Sequence, residues 1–174
     1  MRMSDGDFVK ELGRAMLAHR LRRASELLLD GYERWLPATG VRVPARALST
    51  MMLLAEAEPL GVTQLAARLR LTHPLMIKLV AMLEAGGFVT TGQDPLDARR
   101  RPVSLTARGR TQADLIERAL RIMDQAFAEL CAEIGSDLPA ALDELDQANR
   151  REPLERRLHR ISQQAGQKEN LSCA

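Results

Sequence analysis

The chain has 174 residues, long enough to bury one substantial core, and it is rich in Ala and Leu with only 3% aromatic residues, a balance that favours helices. Its two cysteines, Cys131 and Cys173, exclude a disulfide framework or a thiolate zinc site, and no apolar run approaches the ~18 residues that cross a bilayer. The net charge of +2 says little about partners until its distribution is known.

The first segment, from about Phe8 to Leu36, is expected to be one long helix. Leu17, Leu21, Ala24, Leu28, Tyr32 and Trp35 share a face of it at helical spacing. A long helix with so narrow an apolar stripe is suited to packing on another helix. The start, MRMSDGDFVKELGR, lacks the apolar centre of a secretory signal, so a reducing, cytoplasmic setting is expected. Pro37 and Gly40 stop the segment. Pro44 suits the first turn of a second helix, with Leu48, Met51, Met52 and Ala55 as its buried face.

After the turn EAEPLGV, Thr63 is a candidate cap for a compact helix with Leu65, Ala66 and Leu69 inward. Only Arg70, Leu71 and Thr72 separate it from the next helix. Two short helices joined so tightly must cross steeply, which is the helix-turn-helix arrangement. In the second of the pair Thr72 can cap the free amides, and Pro74 sits in the first turn, where a missing N–H costs nothing. Met76, Leu79, Val80 and Leu83 face inward, while His73, Pro74, Ile77, Lys78 and Ala81 face outward. Gly86 and Gly87 supply a left-handed stop.

Two β-like pieces follow, Phe88–Thr91 and Arg101–Thr106, around the loop GQDPLDARR. Pro102 argues for an edge strand, which a two-stranded ribbon permits. A hairpin with a basic tip directly after a helix-turn-helix is a wing. Thr106 then starts another long helix, with Ala113, Ile116, Leu120, Met123, Phe127, Leu130 and Ile134 in a narrow seam. Gly135–Asp137 breaks it. A further helix has Pro139 in its first turn, a second break is expected near Arg151–Pro153, and a last short helix leads into a polar, frayed tail over 164–174.

Between Gly61 and Arg110 eight Lys/Arg stand against three Asp/Glu, an excess of +5 that leaves −3 for the remainder. A basic zone on a mildly acidic body is the electrostatic footprint of a phosphate-binding surface. The stretch GVTQLAARLRLTHPLMIKLVAMLEAGGFV, followed by DPLDARRRPVSLTARGR, resembles the MarR family of winged-helix transcription regulators. The family's wing reads D-P-x-D-x-R and then L-T-x-x-G, matched here by Asp94, Pro95, Asp97, Arg99, Leu105, Thr106 and Gly109. The motif-bearing match spans about Gly61 to Arg110, and the flanking helices agree in position and pattern.

The resemblance implies a mainly α fold, with residues 43–105 as the winged helix-turn-helix and residues 1–42 and 106–163 as a helical dimerisation region. It implies a homodimer on a pseudo-palindromic operator in double-stranded DNA, in the role of a repressor. One recognition helix would enter each of two successive major grooves, and half-sites one DNA turn apart match such symmetry. A helix N-terminus also attracts phosphate through its free amides and partial positive charge.

Thr63 and Thr72 are then candidate helix-start phosphate contacts. Lys78 can reach guanine O6/N7 or a phosphate oxygen, and His73, beside Pro74, can meet a base edge or phosphate. Leu75 and Ile77 can offer apolar contact to a thymine methyl. The family often places a small hydroxyl residue where Ile77 stands, a departure that leaves the operator sequence open but not DNA binding itself. On the wing, Arg99 matches the arginine the family inserts into the minor groove. Asp97 would orient it through a charge-assisted bond, and Arg100 and Arg101 would contact the backbone.

The resemblance further implies release by a small phenolic or aromatic effector, for which His19, Arg23, Met51 and Met52 are candidate lining. No cofactor or metal is implied. The sequence has no glycine-rich phosphate loop, no HExxH and no nucleophile with a recognisable partner, so an enzyme is not expected. The rival from another class is a winged-helix dimer that binds a protein without contacting DNA. The retained charges of Lys78, Arg99, Arg100 and Arg101 favour DNA.

Overall fold

The computed structural model describes residues 7–92 and 101–172, with side chains to residue 166. By contact the chain divides into two units at Ile122 and Met123. Among the described residues no helix is long and apolar enough to cross a membrane.

The first unit opens with two helices rather than the single one expected over Phe8–Leu36. Helix α1 (Phe8–Glu11) ends short of Gly13, whose φ of +66° leaves helical space, and a tight 3-10 turn leads on to α2 (Leu17–Trp35). Asp7 caps α1 by accepting the Val9 N–H and pairs with Arg23 of α2 at 2.6 Å. The guanidinium holds the Asp7 carboxyl below its ordinary range. Along α2, Leu17, Leu21 and Leu28 stand exposed in this single chain.

Pro44 does not lie in a helix. Its extended ψ of 139° places it before a 3-10 turn (Ala45–Ala47) that feeds α3 (Leu48–Ala57). Glu33 of α2 accepts the Ala45 N–H at 2.8 Å and fixes that entry. Leu48 and Met51 are buried as expected, but Leu53 and Leu54 are buried too, whereas Ala55 is exposed and Met52 only half-buried. The reason is enclosure: α3 packs on several sides, against its leading turn, α4 (Val62–Leu69) and the sheet, so one stripe does not describe it.

Thr63 is not the cap of α4. Gly61 occupies that place, and its N–H donates to the Gln64 side chain at 2.8 Å. Arg70, in left-handed conformation (φ 54°), closes α4 and turns the chain into α5 (His73–Ala85). Among the described residues three strands lie in the order β1-β3-β2: β1 (Leu60–Gly61), β3 (Pro102–Leu105) and β2 (Val89–Thr91), all antiparallel. The wing is therefore a three-stranded sheet, and Pro102 lies on its central strand rather than an edge. It is tolerated because it is the first residue of that strand.

Helix α6 (Ala107–Ile134) buries Ala113, Ile116 and Ala119. Its Gln112 is also buried and clasps the α2–α3 connection: its side chain accepts the Arg42 N–H at 2.6 Å and donates to the Gly40 carbonyl at 3.3 Å. Farther along the seam Phe127 and Leu130 are half-buried and Ile134 is exposed.

In the second unit Asp137 caps α7 (Leu138–Arg151) by accepting the Ala140 N–H at 3.0 Å. The break expected near Arg151–Pro153 is present. Arg160 bonds Glu152 there, with Arg157 nearby, and together they hold that carboxyl below its usual range. Helix α8 (Leu154–Ser172) continues to Ser172, through the stretch expected to fray from residue 164. Gln, Lys and Glu there are good helix formers, and no proline interrupts them. Leu138, Leu142 and Leu145 of α7 and Leu154, Leu158 and Ile161 of α8 are exposed.

Candidate nucleic-acid interface

Helix α5 has two unlike faces. Met76, Leu79, Val80 and Leu83 are buried against the first unit. His73, Pro74, Leu75, Ile77, Lys78 and Ala81 are exposed, Leu75 by 43% and Ile77 by 49%. At the helix start the Thr72 carbonyl accepts the Met76 N–H at 3.0 Å, but the Thr72 hydroxyl makes no capping bond. With Pro74 lacking an N–H, the amides of His73 and Leu75 are left without a partner among the described residues. The front end thus offers donors and the positive end of the helix dipole to solvent. Thr63 is likewise exposed, in the first turn of α4.

The C-terminal end of α5 locks the wing in place. The Phe88 N–H returns to the Leu83 carbonyl at 2.9 Å, across Gly87 at φ +70°. Glu84 accepts both the Thr91 N–H (3.2 Å) and the Thr91 hydroxyl (2.6 Å), tying β2 to α5. The Thr106 hydroxyl donates to the Gly87 carbonyl at 2.7 Å and accepts the Gly109 N–H at 2.9 Å, so one side chain joins helix stop, wing and α6. Glu58, at the end of α3, accepts the Leu105 N–H and pairs with Arg110. Glu58→Ala leaves the half-buried Leu105 N–H unpaired, and a loss of roughly 1–3 kcal/mol is expected in denaturant unfolding.

These anchors sort the basic zone. Arg68 pairs with Glu56 at 3.3 Å, Arg110 with Glu58, and Arg108 lies over the buried Phe88 ring at 4.8 Å. They hold the fold together. Lys78 and Arg101 are exposed and have no hydrogen bond or ion pair among the described residues. Asp97, Arg99 and Arg100 lie outside the described residues. The Gly61–Gln64 cap was legible as a G-x-x-Q spacing, but Glu58 and Glu84 carry no local signal, because their partners lie 47 and 7 residues on.

Of the expected effector-lining residues, Met51 is fully buried in the core and Arg23 is engaged by Asp7. His19 and Met52 are half-exposed.

No family model matches the sequence, and no curated protein is detectably similar to it. Solved structures are. A probable transcriptional regulator from Pseudomonas aeruginosa is 24% identical with a TM-score of 0.61, covering 74% of this chain and 96% of that one. The M. tuberculosis transcriptional regulator MosR, in complex with DNA, is 23% identical with a TM-score of 0.60, over 78% of this chain and 95% of its own. The PcaV transcriptional regulator of Streptomyces coelicolor, in complex with its natural ligand, is 21% identical with a TM-score of 0.62, over 86% and 99%. The chain has the winged-helix fold of the MarR-type transcriptional regulators.

Proposed function

We propose that this chain is a homodimeric, DNA-binding transcriptional regulator that acts as a repressor on a pseudo-palindromic operator. The observation that carries the reading is the front of α5, where free amides, His73 and an unpaired Lys78 stand exposed on a helix whose back is locked into the core. In this reading α5 enters the major groove and Thr63 and Thr72 contact phosphates. Arg99, oriented by Asp97, enters the minor groove from the wing, with Arg100 and Arg101 on the backbone. MosR, of the same fold, is seen in complex with DNA.

The dimer follows from the apolar faces that one chain leaves bare. Leu17, Leu21 and Leu28 of α2 and the leucines of α7 and α8 are spaced for helix packing yet exposed. A symmetric pairing covers the same patch on both copies. The four chain segments at 1–42 and 106–163 of two copies form the dimerisation region. A small phenolic or aromatic anion as releasing effector belongs to the same reading; PcaV, of the same fold, is seen in complex with its natural ligand. Phenolic acids added to the preformed complex should then raise its dissociation constant.

The test is selection of bound sequences from a random duplex pool, followed by anisotropy titration at increasing salt. Affinity for the selected duplex is expected to fall by orders of magnitude between 50 and 200 mM salt. No binding even at low salt would sink the proposal. Arg99→Ala should weaken binding roughly tenfold and reduce the salt slope by about one without unfolding the protein. Lys78→Ala should cost more affinity on the selected duplex than on random duplex. Equal loss on both would demote Lys78 to a phosphate contact.

A further inference from the structure

The exposed face of α5 is poor in hydrogen-bonding groups. Its outward residues in the first two turns are His73, Pro74, Leu75, Ile77, Lys78 and Ala81. No Arg is present to take guanine bidentately, no Asn or Gln to take adenine, and no Ser or Thr within the helix to serve either. What the face presents is apolar: Leu75 and Ile77, 43% and 49% exposed, beside Pro74 and Ala81. The only apolar group that a base pair shows in the major groove is the C5 methyl of thymine. Lys78 and the local excess of +5 charges hold such a face against a polyanion.

Resting on the DNA-binding reading above, we propose that this helix selects its operator chiefly by thymine methyl groups, with Leu75 and Ile77 as the specificity-determining side chains and His73 and Lys78 as the polar anchors. Adenine and guanine edges then contribute little beyond what His73 and Lys78 can reach, and the preferred half-site carries thymine where α5 lies. Burying one methyl against an aliphatic side chain corresponds to about a fourfold gain in affinity. A palindrome doubles the contact, so about 16-fold is expected when the matching position is read in both half-sites.

The experiment uses the full chain and the duplex selected from the random pool. Each thymine is replaced in turn, symmetrically, by deoxyuridine, which keeps every hydrogen-bonding group and removes only the methyl. At one or more positions in each half-site the replacement should weaken binding about 16-fold. Ile77→Ala should abolish that discrimination at its position while leaving the salt slope unchanged, and because Ile77 is exposed its loss should not alter thermal unfolding. Thymine and deoxyuridine duplexes bound equally, with strong salt-dependent affinity retained, would overturn the methyl readout and leave DNA binding standing. Undiminished discrimination in both Leu75→Ala and Ile77→Ala would overturn the assignment to these side chains. Absence of binding to any duplex at low salt would overturn both readings and give the apolar face to a protein partner.

Discussion

Gly109→Ala is expected to destabilise the first unit by roughly 3 kcal/mol, lowering the melting temperature by about 10 °C, and to weaken the proposed DNA binding with it. A Cβ at this position would overlap the Phe88 carbonyl oxygen, lie 3.0 Å from the Phe88 carbonyl carbon and 3.4 Å from the Leu105 Cβ. The oxygen is backbone and cannot rotate away. It is also the acceptor of the Thr106 N–H, so moving it loosens the start of α6 and the root of the wing together. The L-T-x-x-G spacing thus has a physical cause. Thr106 caps α6 by accepting the N–H of Gly109, and the glycine lets that same turn lie against the wing. Gly166→Ala is the control. Nothing lies within 4 Å of a Cβ there, and the change should leave stability unaltered or raise it by up to ~1 kcal/mol through helix propensity. Thermal unfolding of the two variants side by side checks the contrast, and equal melting temperatures would refute it.

If the proposed homodimer forms through these faces, Leu142→Glu combined with Leu158→Glu is expected to convert it into a monomer at micromolar concentration, with a dissociation constant raised at least ~100-fold. Both side chains are about half exposed in the single chain, 50% and 58%, so the charges do not disturb a core of the isolated subunit. They lie on the rows Leu138–Leu142–Leu145 of α7 and Leu154–Leu158–Ile161 of α8, each spaced four then three apart. A buried, unpaired carboxylate in such an interface is far more costly than a lost leucine contact. Sedimentation equilibrium of both proteins reads the result, with far-ultraviolet circular dichroism to show retained helix. A monomer should also lose most affinity for the two-half-site operator, since it can engage only one half-site at a time. Dimer mass in both proteins would remove these faces from the interface.

Much of this architecture was readable residue by residue. The inward set Met76, Leu79, Val80 and Leu83 and the outward set His73, Pro74, Ile77, Lys78 and Ala81 fall where helical periodicity puts them. The breaks at Gly135 and Pro153 fall where glycine and proline require them. Local rules failed where a longer-range partner intervened. Thr63 reads as a cap, but the Gly61–Gln64 bond moves the helix start upstream. Pro102 reads as an edge residue, but the two-residue β1, too short to signal itself, pairs on its far side. The Phe8–Leu36 segment reads as one helix, yet Gly13, ahead of the Leu17–Trp35 stripe, interrupts it. Ala55 matches the α3 stripe, yet the enclosing elements bury Leu53 and Leu54 instead.

The candidate site divides in the same way. Sequence alone determined which residue types stand at the front of α5, how narrow the apolar seams are, and that eight basic residues crowd into 61–110, since these depend only on composition and period. It could not sort those charges. Only the tertiary structure decided that Arg68, Arg108 and Arg110 serve Glu56, Phe88 and Glu58, while Lys78 and Arg101 stay exposed with no hydrogen bond or ion pair among the described residues. An ion pair or ring contact joins residues brought together by chain folding, and its partners leave no mark on the local pattern of either one.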